Sequence, residues 1–367
     1  MKSRVNFRKK RSDYVLSIVI FALVLFGLIM IYSVSKYYSL QVTNGITDKY
    51  WLSRQVLFVI LGLITWTIFQ AIDYRVWEKY SKYMLYVTIG LLLLPIFVGF
   101  SEGNTAQRWI GLGTASFQPA EMAKITLIIY LASWFSKKKD SEIDSLTIPF
   151  FIVMIVISLI MLVQKDLGTL TVMLGIAAAM FFMSGVSLQN IAFGGGIGAL
   201  LVYLAIKLEP YRLERLTAFI NPNSDASGAG YHIRNALIAV GSGGLFGLGF
   251  GQSRQKYLYL PEAHTDSIFA IISEELGFFR SALFVLIFGF VALRGYKIAK
   301  NAPDKFSSLM AIGITTWFFW QAFINIGAML SILPLTGIPL PFISYGGSSL
   351  LFLMAATGIL VNISKEA

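Results

Sequence analysis

The sequence predicts an all-α polytopic membrane protein of about ten transmembrane helices, with a large extracytoplasmic loop between helices 7 and 8. Of its 367 residues, 56% are hydrophobic and only 13% are charged, whereas soluble domains carry about 25% charged residues. Ten segments also approach the roughly 20 apolar residues that a membrane-spanning helix requires. They are residues 14–35, 52–72, 80–99, 119–136, 146–164, 167–185, 189–206, 267–298, 306–331 and 344–363.

These segments are predicted to form a single membrane domain over residues 1–367, with no soluble domain. No small-residue cleavage site follows the first segment, which therefore reads as an anchor rather than a removed signal peptide. The fifth and sixth segments are joined only by Lys165 and Asp166, which predicts a tight turn. The eighth segment is the longest, and we expect it to be tilted or broken near Gly277.

Basic residues predict the orientation of the helices. Six of them lie in the tail 1–13, which places the N-terminus in the cytoplasm. An alternating count puts the C-terminus and further short basic loops on the same side; their residues are Arg75 and Lys79, Lys137 to Lys139, and Lys297, Lys300 and Lys305. The same count puts 100–118, 207–266 and 332–343 outside.

The composition excludes several classes of function. The chain has no cysteine, so a disulfide, a thiol nucleophile and a Cys-ligated metal are impossible, and two histidines make a His-rich metal site implausible. The net charge of +11 is explained by orientation and anionic lipid headgroups better than by nucleic acid. The glycines of 241–244 are not followed by Gly-Lys-Ser/Thr, so ATP is not indicated.

Asp266 is the leading candidate for a catalytic group. It ends the longest polar stretch, 207–266, at the mouth of the eighth helix, where a carboxylate is costly and functional by default. Burial there would raise its pKa toward the range of a general base. Capping of the helix N-terminus is an equal alternative. Glu274 and Glu275 follow about two turns later; either Glu275 faces a helical partner or the pair is structural.

Four further charged residues lie near the predicted outer face or inside the fourth segment. Glu121 and Lys124 are three apart and share a helix face, and we favour an ion pair that locks two helices together. Arg108, in the preceding outer loop, is suited to bidentate binding of a phosphate. Asp166 is predicted to cap the sixth helix, with a place in the same outer cavity as Asp266 as the alternative.

The outer loops supply the rest of the candidate site. Arg212, Arg215 and Arg234 make the loop 207–266 basic at the membrane surface and suited to a pyrophosphate. The stretch 335–349 joins the last two helices and contains two prolines. Irregular backbone at membrane depth is tolerated only beside protein or a watery cavity. We therefore expect this stretch to form a wall of the outer cavity rather than an ordinary tight turn.

Four motifs in order resemble the SEDS family, the FtsW/RodA/SpoVE proteins of bacterial cell-wall synthesis. They are Arg-Trp-Ile at 108–110 with Phe-Gln-Pro-Ala-Glu at 117–121, Gly-Ser-Gly-Gly at 241–244, Leu-Pro-Glu-Ala-His-Thr-Asp at 260–266 with Glu-Glu-Leu-Gly at 274–277, and the stretch 337–347. Each is weak alone, but the ordered set is specific, and the form at 261–266 is more similar to FtsW than to RodA. The chain departs from the family pattern at Lys165, His232, Asn235 and Arg280.

The resemblance implies a peptidoglycan glycosyltransferase that polymerises lipid II on the outer face of the bacterial cytoplasmic membrane, for cell division or elongation. It also implies that Asp266 is the essential aspartate and that Glu121 and Lys124 form the membrane salt bridge. The expected substrates are lipid II and a glycan linked to undecaprenyl pyrophosphate. The expected partners are a class B penicillin-binding protein, which is a transpeptidase, and other divisome or elongasome membrane proteins; nucleic acid is not expected.

The mechanism that follows is an inverting displacement. Asp266 would take the proton of the acceptor 4-hydroxyl as this oxygen attacks the anomeric carbon of the donor, and undecaprenyl pyrophosphate would leave. Arg108, Arg212, Arg215 or Arg234 would stabilise the developing charge. A Mg²⁺ ion bridging the pyrophosphate is a further expectation with no assigned ligands, and no other cofactor is expected.

Two rival functions explain part of the sequence. A lipid II flippase accounts equally well for the helix count and the intramembrane charges, but a carrier requires a site near the midplane that both sides can reach. A scaffold that only recruits a transpeptidase leaves the costly polar groups unexplained.

Overall fold

The computed structural model describes residues 12–98, 108–112, 115–137, 145, 147–208, 210–222 and 228–367. Most of the predicted basic tail, together with Lys138 and Lys139, lies outside these residues. The described helices are α1 (Tyr14–Val42), α2 (Tyr50–Ala71), α3 (Tyr74–Val98), α4 (Pro119–Ser136), α5 (Thr147–Val163), α6 (Leu167–Met183), α7 (Leu188–Leu208), α8 (Pro210–Ile220), α9 (Ala229–Ser242), α10 (Ile268–Asn301), α11 (Lys305–Met329) and α12 (Gly347–Ser364). Strands β1 (Ile110–Leu112) and β2 (Ala115–Phe117) form an antiparallel hairpin with Ile110 opposite Phe117.

The helical membrane architecture is confirmed. Each of the ten predicted segments overlaps one helix, and six of the described helices are long and apolar enough to cross a bilayer: α1, α2, α3, α10, α11 and α12. Two shorter helices, α5 and α6, are also apolar. The protein is therefore a multi-pass membrane protein. The predicted boundary at residue 35 marks the end of the apolar run, but α1 continues through the more polar residues that follow, to Val42.

Helix α11 lies at the centre of the bundle and is buried along nearly its whole length. It packs against α4, α6, α10 and α12, while α12 packs along α2. The two ends of the bundle are distinct. One end carries the start of α1, the α10–α11 turn and the end of α12, joined by the Asp13 amide that donates to Ser364 Oγ at 3.0 Å. Asp266 and the stretch 335–349 lie at the other end.

The region 207–266, which was predicted to be a loop, contains regular secondary structure. It contains α8 and α9, whose polar and apolar residues segregate to opposite faces, followed by an irregular segment that packs along α10. We call residues 243–256 the inserted segment. The apolar-run criterion used for membrane helices does not detect α8 and α9, because helices of this kind lack a long uninterrupted apolar stretch.

Helix α10 is broken at Gly277, as the length of the eighth segment indicated. Gly277 has φ 77° and ψ 179°, a backbone conformation that only glycine adopts readily. The inserted segment restores the hydrogen bonds lost at this break. The Leu248 and Gly249 amides donate to the Glu274 and Glu275 carbonyls at 3.0 Å each, and the Phe278 amide donates to the Gly244 carbonyl at 2.9 Å.

The side chains beside this break are also paired. Lys256 Nζ lies 3.1 Å from Glu275 Oε1, and Glu275 is fully buried. The Glu274 carboxylate accepts hydrogen bonds from the Ser253 hydroxyl and from the Arg254 amide at 3.1 Å. Glu274 lies about 9 Å along α10 from its first residue. The inserted segment therefore extends alongside α10 past its first turn and supplies partners for two carboxylates of that helix. These contacts agree with the structural interpretation of the pair, and Glu275 also faces a helical partner, because the Ser33 hydroxyl of α1 donates to its Oε1 at 3.4 Å.

Candidate active site

Asp266 lies two residues before α10 and does not cap it. The N-cap is Ser267, and no side chain caps this helix start. Of the two interpretations left open for Asp266, the structure therefore disfavours capping. The carboxylate is half-buried, and the Thr265 hydroxyl lies 2.6 Å from Glu262 Oε2 and 3.4 Å from Asp266 Oδ1, between the two acidic groups.

The surroundings of Asp266 favour its protonated form. Burial first, and the negative charge of Glu262 second, raise its pKa to about 7, and the positive charge of Arg215 opposes them. A carboxyl group with this pKa changes protonation state in the range in which a general base is most effective. Asp266 is thus chemically suited to accept a proton at neutral pH.

The stretch 335–349 lies directly beside Asp266. A Cβ atom added to Gly337 would lie 3.7 Å from Asp266 Oδ2, and Gly337 has φ +69°. Asn325, inside α11, fixes this arrangement, because its amide nitrogen donates to the Asp266 carbonyl at 2.7 Å and to the Ile338 carbonyl at 2.8 Å. Sequence reasoning missed Asn325. The available signal was a polar amide inside an apolar segment, which is rare unless it bonds to another element.

Two residues from the loop region approach from a second direction. Arg215 on α8 donates to the Leu335 carbonyl at 3.0 Å. His232 on α9 lies 2.6 Å from Ser267 Oγ through Nε2, and the Ser267 hydroxyl donates to the Pro261 carbonyl at 2.9 Å. Burial and the charge of Arg215 lower the pKa of His232 to about 4. His232 is therefore neutral at pH 7 and, in this network, donates its Nε2 proton to Ser267.

Asp166 takes the capping role that the sequence favoured. It caps α6 by accepting from the Thr169 amide at 3.1 Å. It also lies 3.5 Å from the Arg108 guanidinium and accepts a hydrogen bond from the side-chain amide of Gln118 at 3.0 Å. The α6 turn packs against the Thr336 carbonyl through Gly168, which has no room for a side chain. Thr336 is adjacent to Gly337, so Asp166 and Asp266 flank the same stretch.

The predicted basic residues differ in how they are presented. Arg215 is partly exposed beside the stretch 335–337. Arg108 is partly exposed beside Asp166, at the start of α6. Arg212 is only 7% exposed and donates to the Leu162 carbonyl at 3.3 Å, so it ties α8 to the end of α5. Arg234 is half-buried on α9, two residues from His232. The geometry thus favours Arg108 and Arg215 over Arg212 as groups that face a ligand.

Aromatic side chains support the segment before Asp266. The His264 ring lies between Tyr38, Trp51 and Tyr345, with centroid distances of 5.1, 4.8 and 5.7 Å. The Tyr38 hydroxyl donates to the Leu260 carbonyl at 2.7 Å, and the Tyr345 amide donates to the His264 carbonyl at 2.9 Å. Burial lowers the pKa of His264 to about 4, so its ring is neutral at pH 7.

The ion pair between Glu121 and Lys124 is present. Lys124 Nζ lies 2.8 Å from Glu121 Oε1, and the two side chains are 0% and 2% exposed. Lys124 also donates to Gln321 Oε1 on α11 at 3.1 Å, and its ammonium lies 4.9 Å from the Trp317 ring. The pair therefore joins α4 to α11, which agrees with the structural interpretation of these residues.

A dedicated metal cage is not formed by the residues that the structure describes, which contain no group of three or more histidine or acidic side chains suited to one. Mg²⁺ is more often bound by one or two carboxylates together with substrate phosphates and water. Glu262, exposed beside the Thr265 hydroxyl, fits that second pattern.

A helical membrane bundle with a carboxylate site at one end defines the class of this protein, and comparison with known proteins defines its family. The chain belongs to the FtsW/RodA/SpoVE family, described as cell cycle proteins, whose model matches residues 14–367.

The relatives cover nearly the whole chain. The chain is 40% identical to the stage V sporulation protein E of Bacillus subtilis, over 98% of each protein. It is also 40% identical to a probable peptidoglycan glycosyltransferase FtsW of Escherichia coli, over 94% of this chain and 84% of that protein.

Solved structures share the fold. A chain from a peptidoglycan synthase complex that coordinates polymerization and crosslinking superposes with a TM-score of 0.79 at 26% identity, over 96% of this chain and 97% of that one. The rod shape determining protein RodA of Thermus thermophilus superposes with a TM-score of 0.70 at 25% identity, over 96% of each chain.

Proposed function

We propose that this protein is a peptidoglycan glycosyltransferase that polymerises lipid II into β-1,4-linked glycan strands. The observation that carries the proposal is the half-buried Asp266, with a pKa of about 7, at one end of a bundle whose relatives are named for this activity. The flippase alternative is not favoured, because the clustered polar groups lie at one end of α10 rather than near its middle, where a carrier would hold its substrate.

Asp266 acts as the general base in the proposed reaction. It removes the proton from the 4-hydroxyl of the acceptor lipid II while this oxygen attacks the anomeric carbon of the donor glycan. The bond between that carbon and the pyrophosphate oxygen breaks, and undecaprenyl pyrophosphate leaves with the electron pair. Displacement from the opposite face converts an α-linked donor into a β-linked product. Thr265 and Asn325 hold Asp266 through its side chain and its backbone.

The basic residues stabilise the leaving pyrophosphate in this proposal. Arg215 and Arg108 are the first candidates because of their exposure, and Arg234 and Arg212 are secondary candidates in the same loop region. Positively charged groups positioned where negative charge develops lower the barrier most when water is excluded. Asp166 would orient Arg108. Where Mg²⁺ binds, Glu262 and the pyrophosphate would hold it, and it would neutralise part of the leaving-group charge.

We also propose the finer topology and the partners. Ten helices cross the bacterial cytoplasmic membrane, namely all but α8 and α9, with both termini in the cytoplasm and the region 207–266 outside. The partner is a class B penicillin-binding protein, with other divisome or elongasome membrane proteins around it. A solved relative within a peptidoglycan synthase complex supports this partner.

The decisive experiment is polymerisation of purified lipid II by the purified protein, alone and with its transpeptidase partner. Asp266→Asn keeps the shape of the side chain but removes the base, and we expect it to lower the rate by about 10²–10⁴-fold. Asp73→Asn is the matched control, because Asp73 lies in the α2–α3 turn at the end of the bundle that carries both termini, where its partner Arg75 also binds Glu366. Equal rates for wild type and Asp266→Asn would end the assignment of the base. No polymer from wild type with its partner would reopen the flippase interpretation.

A further inference from the structure

Two cavities lie one after the other between α1 and α10. The first, of about 340 Å³, lies at the end of the bundle that carries both termini, and its lining includes Asp13, Tyr14, Arg294, Lys297 and Ser364. The second, of about 550 Å³, is lined only by apolar side chains. Its walls include Ile18, Ala22 and Phe26 on α1 and Phe284, Ile287 and Phe290 on α10.

Contacts between the two helices place the two cavities one after the other along the same α1–α10 seam, which we call the groove. Asp13 Oδ1 lies 2.7 Å from Arg294 Nη2 at the termini end, and the Phe26 and Phe284 rings lie 4.5 Å apart further along. The helices are therefore antiparallel and in register over this length. The apolar part from Ile18 to Phe26 extends about 12 Å. One leaflet of the hydrocarbon core is about 15 Å thick.

The charges at the polar end favour an anion. Arg294 is paired with Asp13, so the exposed Lys297 leaves this end with one net positive charge among these three side chains. The N-terminus of α1 is already capped, because the Asp13 carboxylate accepts from the Leu16 amide at 3.0 Å. Lys297 is therefore the charge among these groups that a ligand would neutralise. A phosphodiester carries one negative charge and would do so.

We propose that this groove binds one anionic phospholipid, of the phosphatidylglycerol type, from the leaflet at the termini end. Its phosphate lies against Arg294 and Lys297, and an acyl chain fills the apolar part between α1 and α10. A transmembrane helix of a partner is a weaker fit, because it would need an apolar surface across the whole bilayer, more than twice the length of the apolar part of this groove. The proposal does not depend on the proposed enzymatic function.

Native mass spectrometry of the detergent-purified full chain, incubated with phosphatidylglycerol or with phosphatidylethanolamine of the same acyl chains, tests this proposal. The wild type should retain one phosphatidylglycerol in preference to the zwitterionic lipid. Lys297→Gln should weaken this binding about fivefold, which corresponds to ~1 kcal/mol for one lysine at a membrane surface. Lys300→Gln, which removes an exposed lysine on the same helix outside the groove, should leave binding unchanged.

A second pair of variants tests the apolar part. Ala22→Trp fills the groove and should reduce lipid retention, whereas Leu25→Trp, at an exposed position on the same helix outside the groove, should not. Coincident size-exclusion profiles establish that each variant is folded. Wild-type retention in both Lys297→Gln and Ala22→Trp would overturn the proposal, as would equal retention of the two lipids by the wild type.

Discussion

At the scale of single residues, burial and the charge of a neighbouring acid, Glu262, together raise the proton affinity of Asp266. Glu262 is exposed and its charge raises the pKa of Asp266, whereas Arg215 lowers it. Because Glu262 precedes Asp266 by only four residues in an irregular turn, this coupling arises within one short segment. It gives the proposed base a pH dependence that can be measured.

We expect the polymerisation rate to rise with pH through about 7, because the proposed base works only when Asp266 is ionised. Glu262→Gln removes a negative neighbour and so should move this rise to lower pH. Glu214→Gln, at an exposed position on α8, should not move it. The measurement is the rate against pH at saturating lipid II. A profile that stays flat across this range would contradict the assignment of Asp266 as the titrating base.

Residue chemistry predicted part of this site, and tertiary contacts determined the rest. The Asp166 cap and the Glu121–Lys124 pair follow from spacing along one helix, so the sequence was sufficient for them. Asn325 could not be assigned in the same way, because its two partners, the Asp266 and Ile338 carbonyls, come from segments on either side of α11 in the chain. Arg212 shows the reverse case, since a basic residue in a polar loop proved to be buried against α5.

At the scale of elements, the break in α10 was predictable from the length of the helix, but the segment that packs into the break was not. A helix of 34 residues exceeds what one bilayer crossing needs, and Gly277 was the available breaking residue. The inserted segment pairs with the freed backbone groups of α10 from 26 to 34 residues away in sequence. Apolar periodicity carries no information about such a contact. Arg280 donates to the Phe246 carbonyl at 3.0 Å and adds a further link.

Gly277→Ala should destabilise the protein strongly. Its positive φ disfavours any side chain, and a Cβ atom there would overlap the Gly247 amide and the Phe246 backbone. Gly289→Ala in the same helix is the matched control, because a Cβ atom there meets nothing within 4 Å and alanine favours a helix by about 1 kcal/mol. Thermal unfolding followed by tryptophan fluorescence should show a lower midpoint for the first variant only. Equal midpoints would mean that the backbone at Gly277 relaxes without cost.

The link between α4 and α11 predicts a non-additive mutant cycle. Lys124→Met leaves the Glu121 carboxylate buried and unpaired, and should cost about 3–5 kcal/mol of unfolding free energy. Glu121→Leu should cost a similar amount for the same reason. The double variant removes both charges and should recover most of the loss, because a well-packed apolar pair is often equivalent to a buried ion pair. Additive losses in denaturant unfolding would contradict this account.

At the scale of the whole molecule, the apolar segments predicted the helical membrane architecture well, because bilayer thickness dictates helix length. They did not predict α8 and α9, which are amphipathic like the surface helices of soluble proteins. The chain offers a clean test of the proposed topology, since it has no native cysteine.

Single cysteines should report the two sides of the membrane. Asn44→Cys, in the α1–α2 turn, should react with a membrane-impermeant maleimide in intact spheroplasts, and Pro303→Cys, in the α10–α11 turn, only after permeabilisation. Both positions are exposed, so access to water is equal and only the side differs. The reverse pattern would invert the orientation and place Asp266 on the cytoplasmic side.

The inserted segment has a consequence for the order in which the chain is assembled during synthesis. Residues 243–256 leave the ribosome before Ile268–Asn301, yet the carbonyls and carboxylates that they bind belong to that later helix. The segment must therefore remain unpaired in water until α10 has entered the bilayer. Glu274 and Glu275 gain their partners only at that stage. Nascent chains halted before α10 emerges should be cut by protease within 243–256, whereas chains halted after Asn301 is inserted should be protected.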